Sequence, residues 1–135
     1  AAAFTAEPSE DEREQLLIAG LRHYKLQNFE EAIREFRRAI ALYPNFKEAH
    51  SILGNAYFRN RMFNEAATAY RRVKELDPSD TTAFENMGVI HANRGEYLEA
   101  MREWQRVLEI DAGRDDIRRK IELAARMMMK RPVNS

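Results

Sequence analysis

The sequence predicts an all-α solenoid assembled from helix hairpins. Three observations carry this expectation. The 135-residue chain repeats itself at a shift of 34 residues. Each copy carries two apolar stripes with steps of three and four, the signature of amphipathic helices. Charged residues make up 33% and prolines number only 4, a composition that suits helices.

The period runs through several residue sets. Gly20, Gly54 and Gly88 share it, as do Ala32, Ala66 and Ala100. So do the aromatics Phe36, Tyr70 and Trp104, and a second set, Phe29, Phe63 and Tyr97. Leu42, Leu76 and Ile110, Glu31, Glu65 and Glu99, and the pair Pro44 and Pro78 keep the same register.

Taking the elements in order, Ser9 followed by Glu12 forms a candidate capping box that starts the first helix. The middle copy, residues 47–80, shows the hairpin most plainly. A first helix over 46–59 presents Phe46, Ala49, Ile52, Leu53, Ala56 and Tyr57 on one face. Arg61 and Met62 make a short turn. A second helix over 63–76 repeats the stripe with Phe63, Ala66, Ala67, Tyr70, Val73 and Leu76, and Asp77-Pro78-Ser79 ends it. Gly54 inside the first helix costs about 1 kcal/mol relative to alanine. The expected return is a close helix crossing, with Ala66 as the small residue opposite and Phe63 and Tyr70 beside it.

These residues resemble the tetratricopeptide repeat (TPR) family. Its pattern appears as Leu53-Gly54, Tyr57, Ala66, Tyr70 and Pro78 in the middle copy. It recurs as Gly20, Ala32, Phe36, Ala39 and Pro44 in the first, and as Phe84, Met87-Gly88, Ala100 and Trp104 in the third. His23 and His91 replace the tyrosine, and Ala112 replaces the last proline. The resemblance implies a right-handed α-solenoid of three helix-turn-helix repeats, over 13–46, 47–80 and 81–114, plus a capping helix over 115–130. Residues 9–131 would then be one domain, between an N-terminal segment, 1–8, and a tail, 132–135.

The capping helix carries the stripe Ile117, Ile121, Ala124 and Met128. Glu122 stands where a fourth glycine would fall, and Arg118 where Leu16, His50 and Phe84 stand earlier. Both argue that no partner helix follows. From Met127 onward the end reads as frayed, with Met127–Met129 partly buried or forming an adaptable patch.

Composition excludes several classes. Lys plus Arg equal Asp plus Glu at 22 each, so the chain has no general attraction for nucleic acid. The basic run 114–131 reads mainly as cations near a helix C-terminus. No segment is apolar enough for membrane insertion. Without cysteine there is no disulfide and no thiolate metal site. The compartment stays open: cytoplasm by default, and a secreted, periplasmic or membrane-anchored setting if a signal or anchor precedes Ala1.

No catalytic, cofactor or metal constellation stands out. His23 and His91 fall two copies apart, on the order of 20 Å, too far to share a metal. His50 sits at a position the repeat buries. The glutamates lie beside arginines, as Glu31 with Arg34 and Glu99 with Arg102, and read as a solvated, charge-paired face.

The resemblance places function on the first helices of the repeats, which would line a concave groove for a partner peptide or helix. The first copy would offer Leu17, Leu21, Tyr24 and Lys25, and the second Glu48, Ser51, Asn55, Phe58 and Arg59. The third would offer Thr82, Glu85, Asn86, Val89 and Asn93, and the capping helix Arg119, Lys120 and Leu123. Tyr24, Phe58 and Arg59 are the preferred anchors. Residues 1–8 could instead fold back and place Phe4 in the groove. One branch of the family clamps chaperone C-terminal tails with two lysines, an arginine and two asparagines. The matching positions here are Leu17, Leu21, Ile52, Thr82 and Asn86. The cations are missing, so chaperone tails are not the expected partner. The expectation is a non-catalytic adaptor, with a homo-oligomeric scaffold joined through terminal helices as the alternative.

Overall fold

A computed structural model describes residues 10–130. Seven helices occupy them: α1 (Glu10–Lys25), α2 (Phe29–Leu42), α3 (Lys47–Arg59), α4 (Phe63–Leu76), α5 (Thr81–Asn93), α6 (Tyr97–Ile110) and α7 (Asp115–Lys130). There is no strand among the described residues. The expected cap at Ser9, the segment 1–8 and the tail 132–135 lie outside the described residues.

The same turn closes each hairpin. Asn28 N–H donates to His23 O at 2.9 Å and Gln27 N–H to Tyr24 O at 3.0 Å. Met62 with Tyr57 and Arg61 with Phe58 repeat the pair, as do Glu96 with His91 and Gly95 with Ala92. This pairing of the last carbonyls of a helix requires a left-handed residue just past it. Gln27 (φ 62°), Arg61 (φ 62°) and Gly95 (φ 76°) supply it. Only the third copy uses glycine there. The connections between hairpins are also alike: Tyr43, Asp77 and Asp111 each donate back to the preceding helix. Asp77 and Asp111 then accept from the backbones of Ser79 and Gly113. The Asp80 side chain caps α5 through Ala83 N–H at 3.1 Å.

The chain divides into two compact units, Ala1–Ala69 and Tyr70–Ser135, with the boundary inside α4. The sequence reading treats 9–131 as one domain. In a repeat protein each repeat packs on its neighbouring repeats only, so compactness is local. In the first unit α1 packs on α2, α2 on α3, and α1 touches α3. Ala32, Ile33, Phe36, Ala39, Ala49 and Leu53 are buried there. In the second unit α6 packs on α5 and on α7. Its core is Ala100, Trp104, Val107, Ile117 and Ala124.

The helical glycines make room for rings. A Cβ built on Gly20 would fall 2.6 Å from Phe36 Cδ1, and one on Gly88 would fall 2.6 Å from Trp104 Cδ1. At Gly54 the sequence predicts a small residue, Ala66, opposite the glycine, with Phe63 and Tyr70 beside the crossing. In the first and third copies the repeated aromatic takes that place, because a flat ring laid on bare backbone fills space that two small residues would leave open.

α7 covers the third hairpin as a cap. Ile117 and Ala124 are buried and Ile121 packs beside them. Glu122 and Arg118 are exposed. Met127–Met129 are helical rather than frayed; Met127 and Met128 are about two-fifths exposed and Met129 is 86% exposed.

Candidate functional site

In the first unit the expected groove residues lie on α1 and α3. Leu17 lines an open cleft of about 340 Å³ with Arg13, Asn45, Phe46, Lys47 and Glu48. The Arg13 guanidinium lies over the Phe46 ring at 5.9 Å. Leu21, Ser51 and Asn55 are half-buried, and Lys25 is exposed.

The structure joins two of the three preferred anchors. The exposed Arg59 places its guanidinium over Tyr24 at 5.8 Å and over Phe29 at 5.1 Å. The two rings meet edge to face at 5.6 Å. Such a stack is worth about 0.5–1 kcal/mol at an exposed site, so it orients Arg59 without locking it. The third anchor, Phe58, turns instead to Phe63, again edge to face, at 5.3 Å. Phe29 and Phe63 were absent from the expected site. Their signal was present in the sequence as the second 34-residue aromatic set.

In the second unit Glu85 is a hub. Its Oε2 accepts from Arg114 Nη2 at 2.9 Å and its Oε1 from Lys120 Nζ at 3.4 Å. Its backbone carbonyl accepts from Trp104 Nε1 at 3.1 Å. Arg114 also forks onto Asp116, Nε to Oδ1 at 3.0 Å and Nη2 to Oδ2 at 2.9 Å. Hydrogen bonds to Asp116 and then Glu85 raise the Arg114 pKa above the ordinary arginine range. The hydrogen bond from Arg114 lowers the Asp116 carboxyl to about 2. Glu85 is therefore partly spent within the unit. Val89 packs against the core, Asn86 is half-buried, and Arg119 is exposed.

The basic run at the C-terminal end is engaged mostly in ion pairs. Arg118 reaches Asp115 at 2.8 Å and also donates to Ala112 O, and Arg126 lies 3.9 Å from Glu122. Only Lys130 is a cation in the last turn of α7. Among the described residues the surface pairs at three-residue spacing are Arg72–Glu75, Arg106–Glu109 and Asp115–Arg118 rather than the expected Glu31–Arg34 and Glu99–Arg102.

His50 is buried and its Nε2 lies 2.8 Å from Pro44 O; His91 Nδ1 lies 3.2 Å from Glu96. Among the described residues no group of side chains is arranged to hold a metal. No helix there is long and apolar enough to cross a membrane.

The family model described as tetratricopeptide repeat matches residues 19–81 and 53–117. The chain belongs to the tetratricopeptide repeat family. This TPR chain resembles the first TPR of Spaghetti (RPAP3) bound to the HSP90 peptide SRMEEVD. The TM-score is 0.83 at 20% identity, over 90% of this chain and 96% of that one. It resembles MamA with a TM-score of 0.82 at 24% identity, over 87% of this chain and 68% of the other. The TPR2B domain of yeast Sti1, in a complex with pHsp70, follows with 0.76 at 18% identity, over 84% and 96%. At these identities the likeness shows the fold. No curated protein sequence matches the TPR chain. The TPR fold commonly mediates protein–protein interaction.

Proposed function

We propose that the chain is a non-catalytic adaptor that holds a segment of another protein on the first helices of its repeats. The observation that carries this reading is the exposed Arg59 resting on the Tyr24 and Phe29 rings. An arginine on an aromatic platform offers a cation, planar hydrogen-bond donors and apolar surface at one spot, the combination that dominates binding energy at interfaces. In the first unit the half-buried Ser51 and Asn55 of α3 supply polar contacts for a peptide backbone, and Leu17, Leu21 and Phe58 supply apolar ones. Lys25 belongs with them, and Glu85, Asn86, Val89 and Arg119 are the proposed contacts of the second unit taken by itself. Of the neighbours in fold, one is bound to an HSP90 peptide and another is in a complex with pHsp70, which makes the chaperone question specific. With Leu17, Leu21, Ile52 and Thr82 at the clamp positions, the proposal is that such tails are not partners.

The test is calorimetric titration with segments of candidate partners and with SRMEEVD. Tyr24→Ala and Arg59→Ala should each weaken a true partner by about 2 kcal/mol, roughly 30-fold. SRMEEVD should give no saturable heat. Unchanged partner affinity in both variants moves the site elsewhere, and saturable SRMEEVD binding ends the exclusion of chaperone tails.

A second reading is self-assembly through α7, favoured by the exposure of Met129 and the partial exposure of Met127 and Met128.

A further inference from the structure

The first two copies fill one place with a ring that the third leaves empty. Tyr24 and Phe58 occupy equivalent positions, one at the end of α1 and one at the end of α3. Each meets the first residue of the following helix edge to face, Phe29 at 5.6 Å and Phe63 at 5.3 Å. In the third copy that first residue is Tyr97, but the equivalent of Tyr24 and Phe58 is Ala92. A cavity of about 110 Å³ lies there, lined by Ala92, Tyr97, Trp104, Leu123 and Met127, with Lys120 at its edge. It approaches the size of the apolar cavity of about 150 Å³ that takes up benzene. Leu123 is 57% exposed, so the cavity opens to solvent.

The edge is cationic. Lys120 is 39% exposed and holds Glu85 only at 3.4 Å, while Arg114 already holds the other oxygen of that carboxylate.

We propose that the second unit takes an aromatic side chain of a partner segment into the place vacated at Ala92, with an adjacent carboxylate of that segment on Lys120. The occupant is an acidic peptide bearing phenylalanine or tyrosine. Its ring meets Tyr97 as Tyr24 meets Phe29 within the first unit. This rests on the adaptor reading and names the partner chemistry at one point of it.

Trp104 is the only tryptophan, so its emission reports on this cavity. The probe is the acetylated peptide Asp-Glu-Phe-Asp-Glu, with alanine for phenylalanine as the control. The phenylalanine peptide should change Trp104 emission saturably, and the control should bind about tenfold more weakly, a difference of about 1.4 kcal/mol. Ala92→Phe supplies the missing ring from within. It should keep the helical circular dichroism and abolish the response; Ala92→Leu serves if the larger residue disturbs folding. Lys120→Gln should weaken the acidic peptide several-fold and leave a neutral Ser-Gln-Phe-Gln-Ser peptide unaffected. No saturable response in the wild type overturns the proposal, as does equal binding by a folded Ala92 variant. A protein-concentration-dependent change without peptide also overturns it, in favour of a second copy as occupant. The adaptor reading fails separately, through Tyr24→Ala and Arg59→Ala with partner segments.

Discussion

At Gly88 a single hydrogen atom decides how a helix pair closes. Alanine would set its Cβ 2.6 Å from Cδ1 and Cε2 of Trp104, a buried ring whose N–H is committed to Glu85 O. The ring cannot retreat without losing that bond and opening the core around Ile117 and Ala124. Gly88→Ala should therefore destabilise the protein by about 1–3 kcal/mol despite its gain in helix propensity. Urea unfolding measures it, and an unchanged midpoint would refute the close approach. The left-handed turn positions give a paired expectation of opposite sign. Gly95 has φ 76° and Arg61 has φ 62°. A side chain in that region costs about 1–2 kcal/mol. Gly95→Ala should lower stability by about 1 kcal/mol and Arg61→Gly should recover part of that amount in its own copy. Thermal melts of the two variants should move in opposite directions.

Among the elements, α7 depends on more than its apolar stripe. Ile117 and Ala124 bury themselves against the third hairpin, while Arg114 ties Asp116 at the start of α7 to Glu85 on α5. The Asp116 carboxyl sits at about 2 when folded, against an ordinary value of 3.8. A depressed carboxyl stabilises the fold above the ordinary value and loses that contribution as pH falls toward the folded one. The capping contact should thus weaken between about pH 4 and pH 2. Asp116→Asn should lower stability above pH 4 and flatten the pH dependence inside that window. Denaturant midpoints across the range check this, and a variant that tracks the wild type throughout would contradict it.

For the whole molecule, exposed apolar surface on α7 raises the matter of association. Leu123, Met127, Met128 and Met129 are all exposed, and Met side chains adapt to many surfaces. Glu122, Arg126 and Lys130 flank them along the helix. Charged side chains interspersed with exposed apolar ones oppose association between copies. The adaptor reading therefore expects a monomer in light scattering over a concentration series. A dimer that Met129→Lys disperses would favour the scaffold.

The repeat, helix limits close to those found, the cap and the family were all readable from the sequence. Period and stripe are properties of residues near one another along the chain, and each copy corroborates the others. The family resemblance put Tyr24 and Arg59 among the expected anchors, and the structure stacks one on the other at 5.8 Å. What lies across from a residue was decided only in three dimensions. The ring over Gly20 and over Gly88, the commitment of Glu85 to Arg114 and Lys120, and the turning of Phe58 to Phe63 depend on partners 5 to 35 positions away in sequence. The gap beside Ala92 is the plainest case. An alanine in a helix is unremarked in the sequence, and it becomes a vacancy only where folding surrounds it with Tyr97, Trp104 and Leu123.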